Sequence, residues 1–249
     1  MLRRIGRFLL CIATGFFVWS FFLVILYRDL PVPVTPLMLE RLLGGASIHK
    51  TWEPLDRISP ALVRAVMAGE DGKFCSHDGF DWAAVGNAWK QYRRGRGILG
   101  ASTISMQTAK NLFLWPARSW LRKGLEVYFT GLLELAWSKR RIMEAYLNVV
   151  EWGPGVYGAE AAARFHFQKS AANLTGLEAA RLAAVLPNPR RWSASRPSSY
   201  ILGHAGIIHA RMPEVPAGDP LPCGWPEKRS SVWASLFESI NSLIRGHNT

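Results

Sequence analysis

Hydrophobic and polar positions divide this chain into unlike parts. Phe8 to Tyr27 is an unbroken apolar run with no charged residue. At about 1.5 Å per residue, a helix of that length covers the roughly 30 Å hydrocarbon core of a bilayer. Pro31 to Pro36 cannot continue that helix and reads as a stiff extended spacer. Further on, the apolar period becomes that of amphipathic helices. Ser59 and Pro60 suit an N-cap and first helical position ahead of Leu62, Val63, Val66 and Met67. Helical patterning also covers Asp81 to Tyr92, Ser102 to Phe113, Pro116 to Trp137, Lys139 to Val149 and Thr175 to Leu186. Strand alternation is weak throughout, so the expected class is mainly α. The division is an anchor over 1–30, an extended spacer over 31–54, a helical domain over 55–212 and a tail over 213–249. Arg93 to Gly100 reads as a mobile loop. In the tail, Val232, Trp233, Leu236, Phe237, Ile240, Leu243 and Ile244 form one apolar stripe. Packing on the domain is its preferred role, with the membrane surface as the alternative.

Charge orients the first segment. Arg3, Arg4 and Arg7 precede it, while Arg28 and Asp29 cancel after it. The N-terminus therefore stays in the cytoplasm as a short stub, and the domain lies on the outer, periplasmic face of the cytoplasmic membrane. A cleaved signal peptide is the rival reading. The run is long for one, and Leu26-Tyr27-Arg28 is a poor cleavage site. The 249 residues carry 30 Lys plus Arg against 18 Asp plus Glu, a net charge of +12. That surplus favours an anionic partner. Export makes acidic lipid or a phosphorylated substrate fit better than nucleic acid. Of three cysteines, Cys11 lies in the apolar run. Cys75 and Cys223 can meet in an oxidising compartment, but nothing in their spacing demands it, and two unpaired thiols are the expectation.

Candidate chemistry concentrates in three segments. Glu70 and Asp71 end one apolar helix, with Gly72 and Gly79 allowing a sharp turn. A partly desolvated carboxylate there suits a general base for a sugar hydroxyl. His77 with Asp78 and Asp81 lacks a further ligand for a metal, so His77 is read as ordering the turn. Ser102 is the expected N-cap of the next helix, with Thr103, Gln107, Lys110 and Asn111 along one face. On the helix expected from Pro116, Arg118, Arg122 and Glu126 follow at four-residue steps, with Lys123 beside them. Such cations suit phosphate oxygens. A solvated, salt-bridged helix face is the bland alternative. Asn148, Glu151 and the Gly153 to Gly155 turn read as scaffold.

Taken in chain order, these segments resemble the peptidoglycan glycosyltransferases of family fifty-one, in particular its monofunctional membrane-anchored members. The likeness rests on EDGKFCSHDGFD (residues 70–81), GASTISMQTAKN (100–111), RKGLE (122–126) and RIMEAYLN (141–148). GAEAAARFHF (158–167) and EAARLAAVLPNP (178–189) extend it, so that it covers about Leu55 to Trp192. The resemblance implies a lysozyme-like helical domain with a small membrane-facing subdomain. It also implies lipid II, a disaccharide-peptide on undecaprenyl diphosphate, as substrate beside the growing lipid-linked strand. Glu70 matches the family's general base and Glu126 its second glutamate. Lys110, Arg118, Arg122 and Lys123 match positions that neutralise diphosphates, and Ser102, Thr103, Gln107 and Asn111 would line the cleft. A divalent cation, Mg2+ or Mn2+, is compatible with the second glutamate, although no metal ligands are assigned. No nucleotide sugar is required, and other cell-wall synthesis or division proteins are natural partners.

Two positions depart from the family pattern. Met106 stands where a first glutamine is frequent, which would remove one cleft hydrogen bond, and Cys75 is not a required residue. Ser47-Ile-His-Lys50 has the spacing of a transpeptidase nucleophile motif, but only Lys50-Thr51-Trp52 follows, so no transpeptidase activity is expected. A glycan-cleaving enzyme needs an acid to protonate a leaving sugar, whereas a diphosphate leaves without one. The cations favour the synthase over that rival. They favour it also over a silent scaffold, which would have no need of Glu70 and Glu126.

Overall fold

A computed structural model describes residues 2–95, 102–117, 119–215 and 223. Among them are ten α-helices: α1 (Leu2–Asp29), α2 (Pro36–Leu43), α3 (Pro60–Glu70), α4 (Trp82–Arg93), α5 (Ile104–Phe113), α6 (Trp120–Ala136), α7 (Lys139–Val149), α8 (Ala159–Phe167), α9 (Gly176–Val185) and α10 (Ser199–Arg211). Three short strands accompany them, β1 (His49–Lys50), β2 (Glu151–Gly153) and β3 (Val156–Tyr157). The mainly α reading holds. Helix α1 is long and apolar enough to cross a membrane, with a mean hydropathy of 2.5 over its most apolar window.

The stretch 31–54 departs from the extended spacer expected of it. Residues 31–35 are extended, but Thr35 then caps α2, its hydroxyl accepting the Met38 N–H at 3.3 Å. The proline that cannot continue one helix sits well in the first turn of the next. Beyond α2, β1 pairs in parallel with β3, and β2 lies antiparallel on β3's other side. This small sheet closes over the Gly153 to Gly155 turn. Gly155 has φ +73°, and a Cβ there would stand 2.2 Å from the Ser47 carbonyl oxygen.

The core lies where α3 packs on α9 and α10, and where α5 packs on α6 and α7. Buried Ala179, Ala180, Ala183 and Ala184 let neighbouring backbones come close to α9. A capping box between Thr175 and Glu178 starts that helix. Helix α10 lies outside the helical spans expected from the sequence, although Ser198 caps it and Ile201, Ala205 and Ile208 form its buried face. Gly203 and Gly206 weaken its propensity, and packing on α9 and α3 overrides that weakness.

Cys75 and Cys223 form a disulfide across 148 residues, contrary to the expectation of unpaired thiols. The fold brings the turn after α3 beside the chain beyond α10, a proximity that linear spacing does not reveal. Most of the loop over 93–100 and the whole apolar stripe over 232–244 lie outside the described residues.

Candidate active site

Three helix ends build the site. At the first, Glu70 is the last residue of α3, and the chain turns sharply after it. Asp71 holds that turn: its carboxylate accepts from His77 Nε2 at 3.0 and 3.1 Å and from the Ile104 N–H at 3.0 Å. His77 Nδ1 in turn accepts the Gly79 N–H at 3.1 Å. His77 therefore orders the turn, the role expected of it for want of a second His or Cys at useful spacing. Only one of the two glycines is needed for conformation. Gly79 has φ +89°, and a Cβ there would meet Thr130 and Glu134 at 2.8 and 2.9 Å, whereas Gly72 has open space to 3.8 Å and no positive φ.

At the second end, Thr103 rather than Ser102 caps α5. Its hydroxyl donates to the Gly79 carbonyl at 2.6 Å and accepts the Met106 N–H at 3.2 Å. Thr103 is thus buried and committed to the backbone, which takes it out of the cleft-lining set. Exposed Ser102 stays in that set. Met106 is buried too and is not among the residues lining the cavity that α5 and α6 border. Below them Ser105 and Lys139 both donate to buried Glu134, fastening α5 to α6 and α7. Motif reading had singled out none of these three for that role.

At the third end, α6 begins at Trp120 instead of Pro116. Ser119 supplies the cap, accepting the Arg122 N–H at 3.1 Å, so the proline cue was placed one turn early. Arg122, Lys123 and Glu126 do converge. Arg122 donates to Glu126 Oε2 at 2.6 Å and Lys123 to Oε1 at 2.5 Å. Glu126 is 3% exposed, and burial of that depth requires paired charge. Arg118 lies outside the described residues.

The second and third ends border an open cavity of about 370 Å³ lined by Ser102, Gln107, Lys110, Pro116, Arg122, Lys123 and Glu126. Asn111 is half-buried and is not among its lining residues. Gln107 links the cavity to Glu70. Its amide donates to Glu70 Oε2 at 2.7 Å and its carbonyl accepts from the buried Tyr146 hydroxyl at 3.3 Å. Burial raises the Glu70 pKa above the usual glutamate range, against the opposing pull of the Gln107 hydrogen bond, Lys110 and His204. His204, on α10, is a neighbour that no motif announced. Burial likewise lowers the Lys110 pKa, and Glu126 opposes that shift. The arrangement places a carboxylate able to take a proton beside a pocket able to hold an anion.

The Transglycosylase family model matches residues 38–213. The chain belongs to the transglycosylase family. Among its relatives, a protein from Rhodospirillum centenum named biosynthetic peptidoglycan transglycosylase is 54% identical over 213 residues, covering 85% of this chain and 92% of that one. Proteins of the same name from Pseudomonas fluorescens and Bdellovibrio bacteriovorus are 50% and 51% identical, covering 94% and 81% of this chain and 100% and 83% of theirs. The transglycosylase match begins at Met38, within α2, so the matched region includes most of that helix and β1 as well as the helices around the cavity. The residues read as scaffold serve as such here. Asn148 exchanges hydrogen bonds of 2.8 Å with both backbone groups of Glu53, and Glu151 accepts the Gly155 N–H at 3.3 Å.

Proposed function

We propose that this transglycosylase polymerises lipid II into peptidoglycan strands. Glu70 accepts the proton of the incoming sugar's 4-hydroxyl as that oxygen attacks the anomeric carbon of the growing lipid-linked strand. The new bond forms with inversion, and the bond to the diphosphate breaks, its electron pair leaving with undecaprenyl diphosphate. Lys110, Arg122 and Lys123 offset the charge that develops on that leaving group. The observation that carries this reading is the pairing of a carboxylate whose pKa is raised by burial with a cavity walled by three cations.

A divalent ion does not fit Glu126 as it stands, since both of its oxygens are taken by Arg122 and Lys123. Among the described residues no cluster of three His, Cys, Asp or Glu could hold one. The reaction is therefore written with protein cations alone. Transglycosylation alone is proposed, without transpeptidation. Lys50 of the Ser47 to Lys50 tetrad is turned onto the carbonyls of Val32 and Pro33, the latter at 3.0 Å, and away from a role as base for Ser47.

In this reading α1 is the membrane anchor, with its arginine-rich start in the cytoplasm and the domain on the periplasmic face. The charge asymmetry about α1 supports that orientation. So does the disulfide, because such bonds persist in oxidising compartments. The substrate and the growing strand are the partners, together with the membrane and other wall-building proteins. The test is polymerisation of labelled lipid II by the purified full-length protein without nucleotide sugar. Glu70→Gln should lower the rate by about 10²–10⁴, the usual range for a positioned general base. Glycan cleavage in place of polymer formation would replace the proposal with a hydrolase.

A further inference from the structure

A tether needs only length and apolarity, yet α1 carries a specific docking face. Ser20 and Val24 are buried at 2% and 0% exposure, and Tyr27 is half-buried, while Phe21, Phe22 and Ile25 between them are exposed. Positions 20, 24 and 27 lie on one helical face, and the domain addresses each of them with a hydrogen-bond donor. The Ser20 hydroxyl gives its proton to the Phe17 carbonyl at 3.0 Å, so the Tyr128 hydroxyl, 2.7 Å away, is the donor to Ser20. Trp137 Nε1 donates to the Val24 carbonyl at 2.8 Å. Arg141 donates to the Tyr27 carbonyl at 2.9 and 3.1 Å and to the Leu30 carbonyl at 2.5 Å, satisfying acceptors at the helix end. Its guanidinium lies against the rings of Trp52 and Trp137 at 5.0 and 5.6 Å.

Rings carry this contact toward the cavity. Tyr27 stacks on Phe113 at 6.4 Å, and Phe113 stacks on Phe129 at 4.5 Å. Phe16 reaches Tyr128 and Phe129 at 5.7 and 6.4 Å. Phe113 lies three residues after Lys110 on α5, and Phe129 three residues after Glu126 on α6. The outer half of α1 therefore bears on the same two helices whose spacing shapes the cationic cavity. From Ser20 to Tyr27 the seam covers about 10 Å of helix length.

We propose that the anchor is a working wall of the catalytic domain, which sets the α5–α6 gap around the leaving diphosphate. Tyr128, Trp137 and Arg141 are positioning residues that hold it there. The inference rests on reading α1 as the bilayer anchor and the cavity as the diphosphate site. It differs from mere tethering in what an exchanged anchor should do. Residues 8–23 are replaced by a leucine–alanine helix of equal length, which keeps insertion and removes the Phe16, Phe17 and Ser20 contacts. Tyr128→Phe, Arg141→Ala and Arg141→Lys form a second set, the lysine variant retaining a donor for the carbonyls.

Reconstituted full-length proteins are compared for kcat and KM on lipid II in vesicles, beside their melting temperatures. The exchanged anchor should lower kcat about tenfold at unchanged melting temperature and membrane retention. Arg141→Lys should recover part of what Arg141→Ala loses. A second readout does not depend on turnover: nitroxides at Asn111→Cys and Gly131→Cys, with Cys11 changed to Ser, report the α5–α6 distance. The native anchor should give one narrow distribution and the exchanged anchor a broad one. Equal kcat and equal distributions would overturn the proposal. Absence of polymer from the wild type, with the distance change intact, would instead overturn the lipid II reading and leave the wall in place.

Discussion

Glu126 lines the cavity and Glu70 is joined to it through Gln107, yet the surroundings of these two carboxylates differ in kind. Glu126 is buried with a guanidinium and an ammonium on its two oxygens at 2.6 and 2.5 Å. Glu70 has one neutral amide donor at 2.7 Å, with Lys110 and His204 acting on it only through their fields. Both Glu126 oxygens are committed to those two donors, so Glu126 is poorly placed to accept a proton from substrate. Desolvation without a bonded cation raises the Glu70 pKa and leaves an oxygen able to accept one. In the proposed reaction, two acids with different environments would thus divide the labour: Glu70 takes the proton, and Glu126 keeps the anion-binding cations in place.

The strongest way to break this comparison is to neutralise each acid and read rate and stability together. Glu70→Gln should remove about 10²–10⁴ of the rate, and at neutral pH it should raise the melting temperature. The sign follows from linkage. A raised folded-state pKa means that the native protein binds the proton more tightly than the unfolded chain does. The stability linked to that proton is complete below the ordinary glutamate pKa and is lost as pH rises through the raised value. The gain from glutamine should therefore vanish in acid. Glu126→Gln should move both quantities downward. It leaves Arg122 half-paired in a mostly buried position, costing about 1–3 kcal/mol, and it loosens the cavity, with a rate loss of about 10²-fold by analogy with losing one preorganised electrostatic contact. Parallel behaviour of the two variants, measured by thermal melts at two pH values beside turnover, would end the division of roles.

A smaller effect is expected in the pH profile of the intact enzyme. Because Glu70 must be ionised to act, kcat/KM should rise with pH through an acid limb lying above the usual glutamate range. Gln107→Ala removes the hydrogen bond that pulls this pKa down, so its limb should move to still higher pH. Lys123→Ala, on the Glu126 side, should lower the plateau and leave the position of the limb nearly unchanged. A limb that moved equally in both variants would show that the two acids titrate as one unit.

Most of what distinguishes the two acids is legible in the chain. Arg122, Lys123 and Glu126 meet because spacings of three and four share a helix face, and that rule is local. Lys139 to Val149 and the Ser59-Pro60 start emerge as read for the same reason. The misreadings come from competition between local cues or from long-range contact. Pro116 and Ser119 both signal a helix start, and the hydroxyl that reaches the Arg122 N–H decides. Ser102 and Thr103 are both capping residues, and only Thr103 can also reach the Gly79 carbonyl. The bond between Cys75 and Cys223 and the field of His204 on Glu70 depend on segments far apart in sequence. No periodicity encodes them.

The smallest predicted effect concerns Met106, the position whose residue departs from the family pattern. If that residue weakened the cleft, Met106→Gln should raise the rate by restoring a hydrogen bond beside Gln107. Met106 is only 6% exposed, however, and is not among the residues lining the cavity, whereas Gln107 and Lys110 are. An amide placed there loses water without a designed partner, a cost of about 1–3 kcal/mol. The expected outcome is a lower melting temperature with kcat/KM within about twofold of wild type, since a change of less than about 0.5 kcal/mol at the transition state amounts to no more than that. A clear gain in rate would put position 106 in the cleft wall and make the glutamine pair, rather than Gln107 alone, the link between the general base and the cationic cavity.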